Sequence, residues 1–447
     1  MGKELLFEVF RNKIPERTPW VPFAGVHAGK LKGYSAQEIL TDGDKLLESL
    51  IEVNRVYSPD GQPVMFDLQL EAEILGCDLI WDKKTPPSVV SHPLAKTRKI
   101  GLSIPGPDDG RLPIILDVMR NLKKRVGNTT ALFGLICGPL TLASHLRGTE
   151  FFLDLMKDQA FVANLVEFCR EVNKNIATYY IEAGMDVIAI VDPVVSLISP
   201  KHFEQFLSEA YTEIFAHIRQ NDRFSSFFVC GDATKNIELM CRTKPDSIFV
   251  DENIDMVQAK KITDAYQITI GGNLPLTTVM LLGTQMDNMK SAIDLMDEMG
   301  RQRYVLAPGC DMPYDVPEEN VIGIIQAVRD FEHTKAMLQN YTRENFDIPV
   351  DLPDYGNLPR PLVEIFTLDS ATCPACGYMK EAVDEAQKHF GKRIDTVEYK
   401  LTLAENIARA KKMDIRHVPV ILINGDIKYS SYLPSRNDLF KEIEGHI

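Results

Sequence analysis

Along the first three quarters of the chain, short continuous apolar runs alternate with longer stretches of helical period. The runs lie at 20–26, 63–66, 131–136, 186–191, 226–230, 247–250, 268–271 and 303–306. Most are rich in β-branched residues and lack polar alternation, the pattern of parallel strands buried on both faces. Between them, 161–183, 200–219, 288–299 and 318–332 carry apolar residues at helical spacing. Strand followed by helix, eight times over, predicts an α/β chain that closes as a (β/α)8 TIM barrel. The second unit is irregular, with 68–75 and a polar stretch through His92 before the next clear helix.

The periodicity lapses over 341–360, where Pro349, Pro353, Pro359 and Gly356 read as a linker. A second pattern follows. It predicts strands at 363–368, 396–401, 419–424 and 427–429, with helices at 377–390, 403–413 and 436–444. The expected organisation is a barrel over 1–340, a linker over 341–360 and a small α/β domain over 361–447.

Composition agrees with two soluble domains: 447 residues, 45% hydrophobic and 25% charged. A formal net charge of −14 argues against nucleic acid or anionic membrane as a partner. The longest apolar stretch, 131–143, is too short to span a bilayer and contains Gly134, Gly138 and Pro139. The first residues have neither a signal-peptide layout nor the hydroxyl at position six that myristoylation needs, so a cytoplasmic protein is expected. Eight cysteines in that compartment should be mostly reduced, as core fillers, metal ligands or redox catalysts.

Cys230 and Cys310 each follow a predicted strand. In a β/α barrel the C-terminal strand ends ring the active site, so these distant thiols are expected to meet there. Asp67 and Asp192 also end strands and are candidates for substrate contact or acid–base work. His27 is expected at the same mouth. Cys77, Cys137, Cys169 and Cys241 read as small buried apolar residues. Glu71 and Glu73 read as helix charges, and Met286, Met289, Met296 and Met299, near helical spacing, as core. The sequence holds no P-loop, dinucleotide fingerprint or Ser-His-Asp pattern.

Cys373-Pro374-Ala375-Cys376 follows a predicted strand and opens a helix, and Val418-Pro419 precedes the strand Val420-Ile421-Leu422-Ile423. On these motifs residues 362–447 resemble a thioredoxin or glutaredoxin domain. The resemblance implies a dithiol redox module. Cys373 would be the nucleophile, favoured by the helix N-terminus, and Cys376 would resolve a mixed disulfide. Pro419 would be the family's cis-proline, presenting backbone to a bound peptide or thiol.

The barrel carries motifs of its own. They are Asp67-Leu68-Gln69-Leu70-Glu71-Ala72-Glu73 with Leu75-Gly76-Cys77, Gly138-Pro139-Leu140-Thr141-Leu142-Ala143-Ser144, and Asp192-Pro193 with Ile198-Ser199-Pro200. Others are Gly271-Gly272-Asn273-Leu274 and Pro308-Gly309-Cys310-Asp311 leading to Val316-Pro317-Glu318-Glu319-Asn320-Val321. Over residues 1–340 the chain resembles the uroporphyrinogen decarboxylase superfamily, which contains decarboxylases and corrinoid-dependent methyltransferases. The decarboxylases hold a polycarboxylate porphyrinogen with arginines after the first strand. Val26-His27-Ala28-Gly29-Lys30 has none, which weighs against that activity. The methyltransferase branch holds zinc by His-x-Cys after the fifth strand and a cysteine after the eighth. That resemblance implies Cys230 and Cys310 as ligands, with Phe228 standing at the histidine position. His27 is the expected substitute imidazole, and Asp232 or Glu252 an oxygen ligand. The Asp251-Glu252 pair also resembles that branch, and Asn273 is a candidate cofactor contact.

The resemblances together imply a zinc-thiolate methyltransferase. It would move a methyl group between a methylcorrinoid such as methylcobalamin, presented by a separate corrinoid protein, and a thiol. The fused dithiol module would keep the barrel thiolates reduced, handle a thiol substrate through a mixed disulfide, or accept the methyl group itself. Two other readings stay open. One is a decarboxylase or lyase on a small substrate, with Asp67 or Asp192 as acid or base. The other is a non-catalytic barrel that binds a corrinoid or tetrapyrrole beside a redox domain. Homodimerisation is left open.

Overall fold

The apolar runs fold into one parallel sheet in a computed structural model of the chain, which describes residues 2–342, 348–371, 373–415, 418–430 and 432–447. In chain order the strands of the larger unit are β1 Gly61–Pro63, β2 Leu79–Ile80, β3 Ser88–Val89, β4 Ala131–Cys137 and β5 Val187–Val191. They continue with β6 Phe224–Val229, β7 Ser247–Val250, β8 Thr269–Leu274 and β9 Tyr304–Pro308. Seven of them pair in the order β1-β4-β5-β6-β7-β8-β9, all parallel, while β2 and β3 form a short antiparallel ribbon. Every residue of β4, Ala-Leu-Phe-Gly-Leu-Ile-Cys, is buried, as a strand covered on both faces requires.

The expected first strand at 20–26 is reduced to one parallel bridge, Trp20 to Leu306. Val21 N donates to Leu306 O (3.0 Å), Leu306 N to Pro19 O (2.9 Å) and Asp60 N to Trp20 O (2.9 Å). The Trp20 segment therefore occupies a first strand's place between β9 and β1. Pro19 and Pro22 flank Trp20–Val21 and have no N–H to donate, which limits the ladder to this length. The result is an α/β fold whose parallel sheet is consistent with a TIM-like barrel. Its interior is packed with aromatic side chains: Phe23 lies 4.7 Å from Phe228 and 5.1 Å from Phe249, and Phe66 5.8 Å from Phe228.

The helices differ from their expected bounds where local chemistry interrupts them. The stretch 200–219 forms Pro200–Phe206 and Ser208–Gln220, broken at Leu207, and 318–332 ends at Arg329 before a separate helix, Phe331–Met337. Met289, Met296 and Met299 are core as expected, but Met286 is 42% exposed, in the first turn of Gln285–Met299. Among the described residues no helix is long and apolar enough to cross a membrane.

The described residues from 348 to 447 form a second unit. Its strands are β10 Leu362–Thr367, β11 Asp395–Lys400, β12 Val420–Ile423 and β13 Asp426–Ser430, in the order β11-β10-β12-β13. β11 is parallel to β10, β12 antiparallel to it, and β13 antiparallel to β12. Alternation of side chains decides the two cores. Val363, Ile365, Ile421 and Ile423 pack with the helices Pro374–Phe390 and Arg436–Glu444. Phe366, Val420 and Leu422 pack with Ala410 of the helix Ala404–Lys412. Of the expected linker, residues 343–347 lie outside the described residues. Others of it are tied down in this unit: Arg409 Nη1 donates to Asp351 O, Lys412 Nζ to Val350 O, and Tyr355 OH to Glu364 Oε1.

Candidate functional site

Cys230 follows the last residue of β6, and Cys310 stands two residues past β9. Eighty residues apart in sequence, they come together at the C-terminal rim with Cα atoms 5.7 Å apart, and their sulfurs are bonded to each other. Reduced thiols were the expectation here; a disulfide is the finding. Cys230 is nearly covered, at 6% exposure, while Cys310 is partly open. Phe228 sits two residues before Cys230 and thus on the same face of its strand. Its ring is wholly enclosed by Phe23, Phe66 and Phe249. The barrel core has taken the place where a ligand imidazole would stand.

His27 does not repair that loss. It lies in a short helical turn, His27–Lys30, rather than at a strand end, and is fully buried. Nε2 is 2.7 Å from Tyr57 OH and Nδ1 3.0 Å from Tyr314 O, so both ring nitrogens are committed. Burial pushes its pKa down to about 4, which keeps the ring neutral. Glu252 accepts a hydrogen bond from Leu276 N through Oε2. Among the described residues no three His, Cys, Asp or Glu side chains gather as a metal-ligand group. The set expected from the sequence, Cys230, Cys310, His27 and Glu252, therefore does not fit a thiolate zinc centre, which needs at least three converging donors.

The rim holds instead a set of carboxyl groups displaced from their ordinary behaviour. Burial, with Asp251 alongside, pushes Glu252 up to about 8. Burial does the same to Asp311, whose Oδ1 accepts from Gly25 N at 2.7 Å. Asp251 is fully buried and shifted upward by the same cause. Asn253 N donates to its Oδ1 at 2.9 Å. Two glycines make this crowding feasible. A Cβ on Gly309 would lie 2.6 Å from Glu252 N, and one on Gly25 2.4 Å from Asp311 Oδ1. The cofactor contact expected of Asn273 is not what its amide does: Nδ2 donates to Asp251 O and Ile254 O, both at 2.9 Å, fastening the loop that carries Asp251 and Glu252.

On the β1 side of the rim, Asp67 is engaged by Arg111, whose Nη1 lies 2.7 Å from Oδ2, while its Oδ1 accepts from Gln69 N. Arg111 also holds Glu73 (2.6 Å) and Leu40 O (3.0 Å) and lies over the Trp81 ring. The role of Arg111 escaped the sequence reading because it stands 44 residues from Asp67, with no local motif to link them. Glu71 is no surface helix charge. It is buried, its Oε1 accepts from Cys137 N, and its Oε2 finds no partner among the described residues. Burial pushes it up to about 8. An acid with a folded value above its ordinary 4.5 stabilises the fold at low pH and loses that contribution as pH climbs through 4.5 toward 8. The barrel of an E71Q variant should therefore lose stability less steeply between pH 5 and 8 than the parent, by up to about 1.4 kcal/mol per pH unit. Thermal unfolding across that range checks this, and parallel slopes would refute it.

Asp192, expected as an acid or base, is enclosed and fully employed. It accepts from Leu140 N (2.9 Å), Thr141 N (3.0 Å), Thr141 Oγ1 (2.5 Å) and Tyr211 OH (2.5 Å). The first two are unpaired donors at the start of the helix Pro139–Arg147, so Asp192 caps that helix from another strand end. Cys77, Cys137, Cys169 and Cys241 are buried, and burial raises all four thiols, Cys77 and Cys241 to about 12.

In the second unit Cys373 is the N-cap of the helix Pro374–Phe390, with Cys376 N donating to its Sγ at 3.4 Å. Cys373 is partly exposed. Cys376 lies buried one turn on, and burial raises its thiol well above the ordinary range. The Val418–Pro419 peptide is cis and stands directly before β12.

The uroporphyrinogen decarboxylase (URO-D) family matches residues 1–331. The methylcobamide:CoM methyltransferase MtbA of Methanosarcina acetivorans is 27% identical over 343 residues, covering 74% of this chain and 98% of its own length. The methylcobamide:CoM methyltransferase MtaA of Methanosarcina barkeri is 29% identical over 270 residues, covering 58% and 76%. Among solved structures, a methyltransferase from Methanosarcina mazei shares the fold with a TM-score of 0.69 at 23% identity, over 74% of this chain and 99% of that one.

Proposed function

The chain belongs to the uroporphyrinogen decarboxylase (URO-D) family, and on that premise we propose that its barrel transfers a methyl group from a methylcorrinoid to a thiol. The observation that carries this reading is the match to 98% of the length of a methylcobamide:CoM methyltransferase. Two cysteines set together at the strand ends, where barrel enzymes do their chemistry, support it. The methylcorrinoid enters as substrate, presented by a separate corrinoid protein, and supplies a methyl group open to attack by a thiolate.

The chain's own residues prepare that attack. The acceptor thiol must lose its proton, and thiols ordinarily do so near pH 8.5. Glu252 stands beside the cysteine-bearing loop, against Gly309, with a carboxyl pushed up to about 8. Burial and the neighbouring Asp251 make its carboxylate a stronger base than an exposed one, suited to take the thiol's proton. Neutral His27 donates from Nδ1 to Tyr314 O and accepts from Tyr57 OH at Nε2, which steadies the loop beyond Cys310. The packed aromatic floor below excludes water from one side of the reacting atoms.

The second unit is read as a thioredoxin-like thiol–disulfide module. Its support is the Cys373–Cys376 pair opening a helix after β10, the Val418-Pro419 sequence before β12, and the mixed four-stranded sheet.

The test is loss of methyl from methylcobalamin, followed by visible absorbance, with the reduced full chain and a panel of thiols that includes coenzyme M. Thiol-dependent demethylation is expected, and E252Q should lower its rate about 100-fold or more. No demethylation with any thiol would sink the reading.

A further inference from the structure

The cysteines of the barrel unit stand in two kinds of setting. Cys77, Cys137, Cys169 and Cys241 are buried, with thiols raised by burial, and so are poor partners for exchange. Cys230 and Cys310 are joined to each other at the rim, and the two sulfurs are not equivalent. Cys310 is partly open, whereas Cys230 is covered. Hydrogen bonds on both loops hold this difference in place. Around Cys310, Gly309 N donates to Leu274 O (3.0 Å), Met312 N to Phe23 O (2.8 Å) and Gly25 N to Asp311 Oδ1 (2.7 Å). Just past Cys230, Gly231 N donates to the buried Asp251 carboxyl. We propose that the rim pair is a thiol-exchange site in its own right, at which Cys310 takes up a small thiol as a mixed disulfide. This chemistry needs no corrinoid and so goes beyond the methyl-transfer reading.

Access sets the order of events. The small thiol gives up its proton to solvent, and its thiolate attacks Cys310 Sγ from the open side. The Cys230–Cys310 bond breaks, and Cys230 leaves as a thiolate that takes up a proton. A second small thiolate then attacks the sulfur of the captured thiol. That step forms the small disulfide and releases Cys310, which is protonated in turn. Two small thiols are oxidised to one disulfide, and two electrons and two protons pass to the rim pair. Size follows from the same access. A sulfur that is only partly open admits a thiol of a few atoms and hinders one carried on a folded protein.

The experiment uses the full chain carrying C373S/C376S, so that the other cysteine pair takes no part, isolated in its air-oxidised form. 2-Mercaptoethanol is added, free thiols are trapped by alkylation at intervals, and their positions are read by peptide mass. Cys230 and Cys310 should be joined at the outset and should open as the thiol is added. The mixed disulfide trapped early should map to Cys310, a readout that needs no change at the rim. Adding C230S removes the internal thiolate that would expel the captured thiol. Given the disulfide of 2-mercaptoethanol, that variant should hold one mercaptoethanol group, on Cys310. With C310S instead, Cys230 should be modified at least about tenfold more slowly. Equal modification of the two cysteines would overturn the assignment of Cys310. Opening by a reduced thioredoxin but not by 2-mercaptoethanol would overturn the choice of a small thiol. A pair found unjoined in the air-oxidised chain, or one that no thiol opens, would overturn the proposal outright. Demethylation of methylcobalamin by the parent chain, reduced beforehand with a phosphine, is read separately. If it occurs while exchange does not, this inference fails and the methyltransferase reading stands.

Discussion

Replacing Arg111 by methionine should lower the unfolding free energy of the barrel by about 3–5 kcal/mol. The Asp67 side chain is completely enclosed, and the Arg111 guanidinium is its counter-ion at 2.7 Å. Removing the cation leaves a carboxylate in a low-dielectric setting with Gln69 N as its one remaining donor among the described residues. Methionine keeps most of the packing against Trp81, so the loss reports the charge rather than the volume. R111K should fall between the two. An ammonium is a single point, whereas Arg111 reaches Glu73 from Nε and both Asp67 and Leu40 O from Nη1. In the double variant D67N/R111M part of the loss should return, because the orphaned charge is gone. Both tryptophans of the chain, Trp20 and Trp81, lie in the barrel. Denaturant unfolding followed by tryptophan fluorescence therefore reads this unit. A change below about 1 kcal/mol in R111M would contradict the account.

D192A should be comparably damaging, by about 4 kcal/mol or more. Four donors converge on this carboxylate: two backbone amides and the hydroxyls of Thr141 and Tyr211. Each buried donor left without a partner costs about 1–3 kcal/mol, less whatever water entering the new cavity restores. D192N is the informative companion. It fills the space but turns one acceptor into a donor facing donors, so it should recover only part of the stability. Recovery to the parent's level in D192N would show that shape, not the carboxylate, holds the helix.

How much of this was legible beforehand depends on the distance over which a residue's role is set. The strands were legible because burial on both faces writes itself into consecutive residues, as in Ala131–Cys137. The meeting of Cys230 and Cys310 followed from where strands end in a barrel. Their bonding did not, because it depends on what else stands nearby. His27 and Phe228 show why. Each has the right chemistry or the right address but not both: the imidazole is locked between Tyr57 and Tyr314, and the address is filled by a phenyl ring. Asp192 looked reactive because it ends a strand, yet the amides it binds begin a helix 52 residues earlier. Glu71 looked ordinary because its spacing fits a helix surface, and only tertiary packing reveals that this face is inward. Met286 was misplaced by a single turn at a helix start, where the apolar stripe has not yet reached the core.

The bridge between Trp20 and Leu306 sets a condition on biosynthesis. The sheet cannot close until a residue near the start of the chain finds one 286 positions later, and until then β1 presents an unpaired edge. A ribosome must release almost the whole barrel before that edge is sealed, so the emerging polypeptide spends most of its synthesis with a strand open to wrong partners. Long-range closure of this kind slows maturation and invites chaperone attendance.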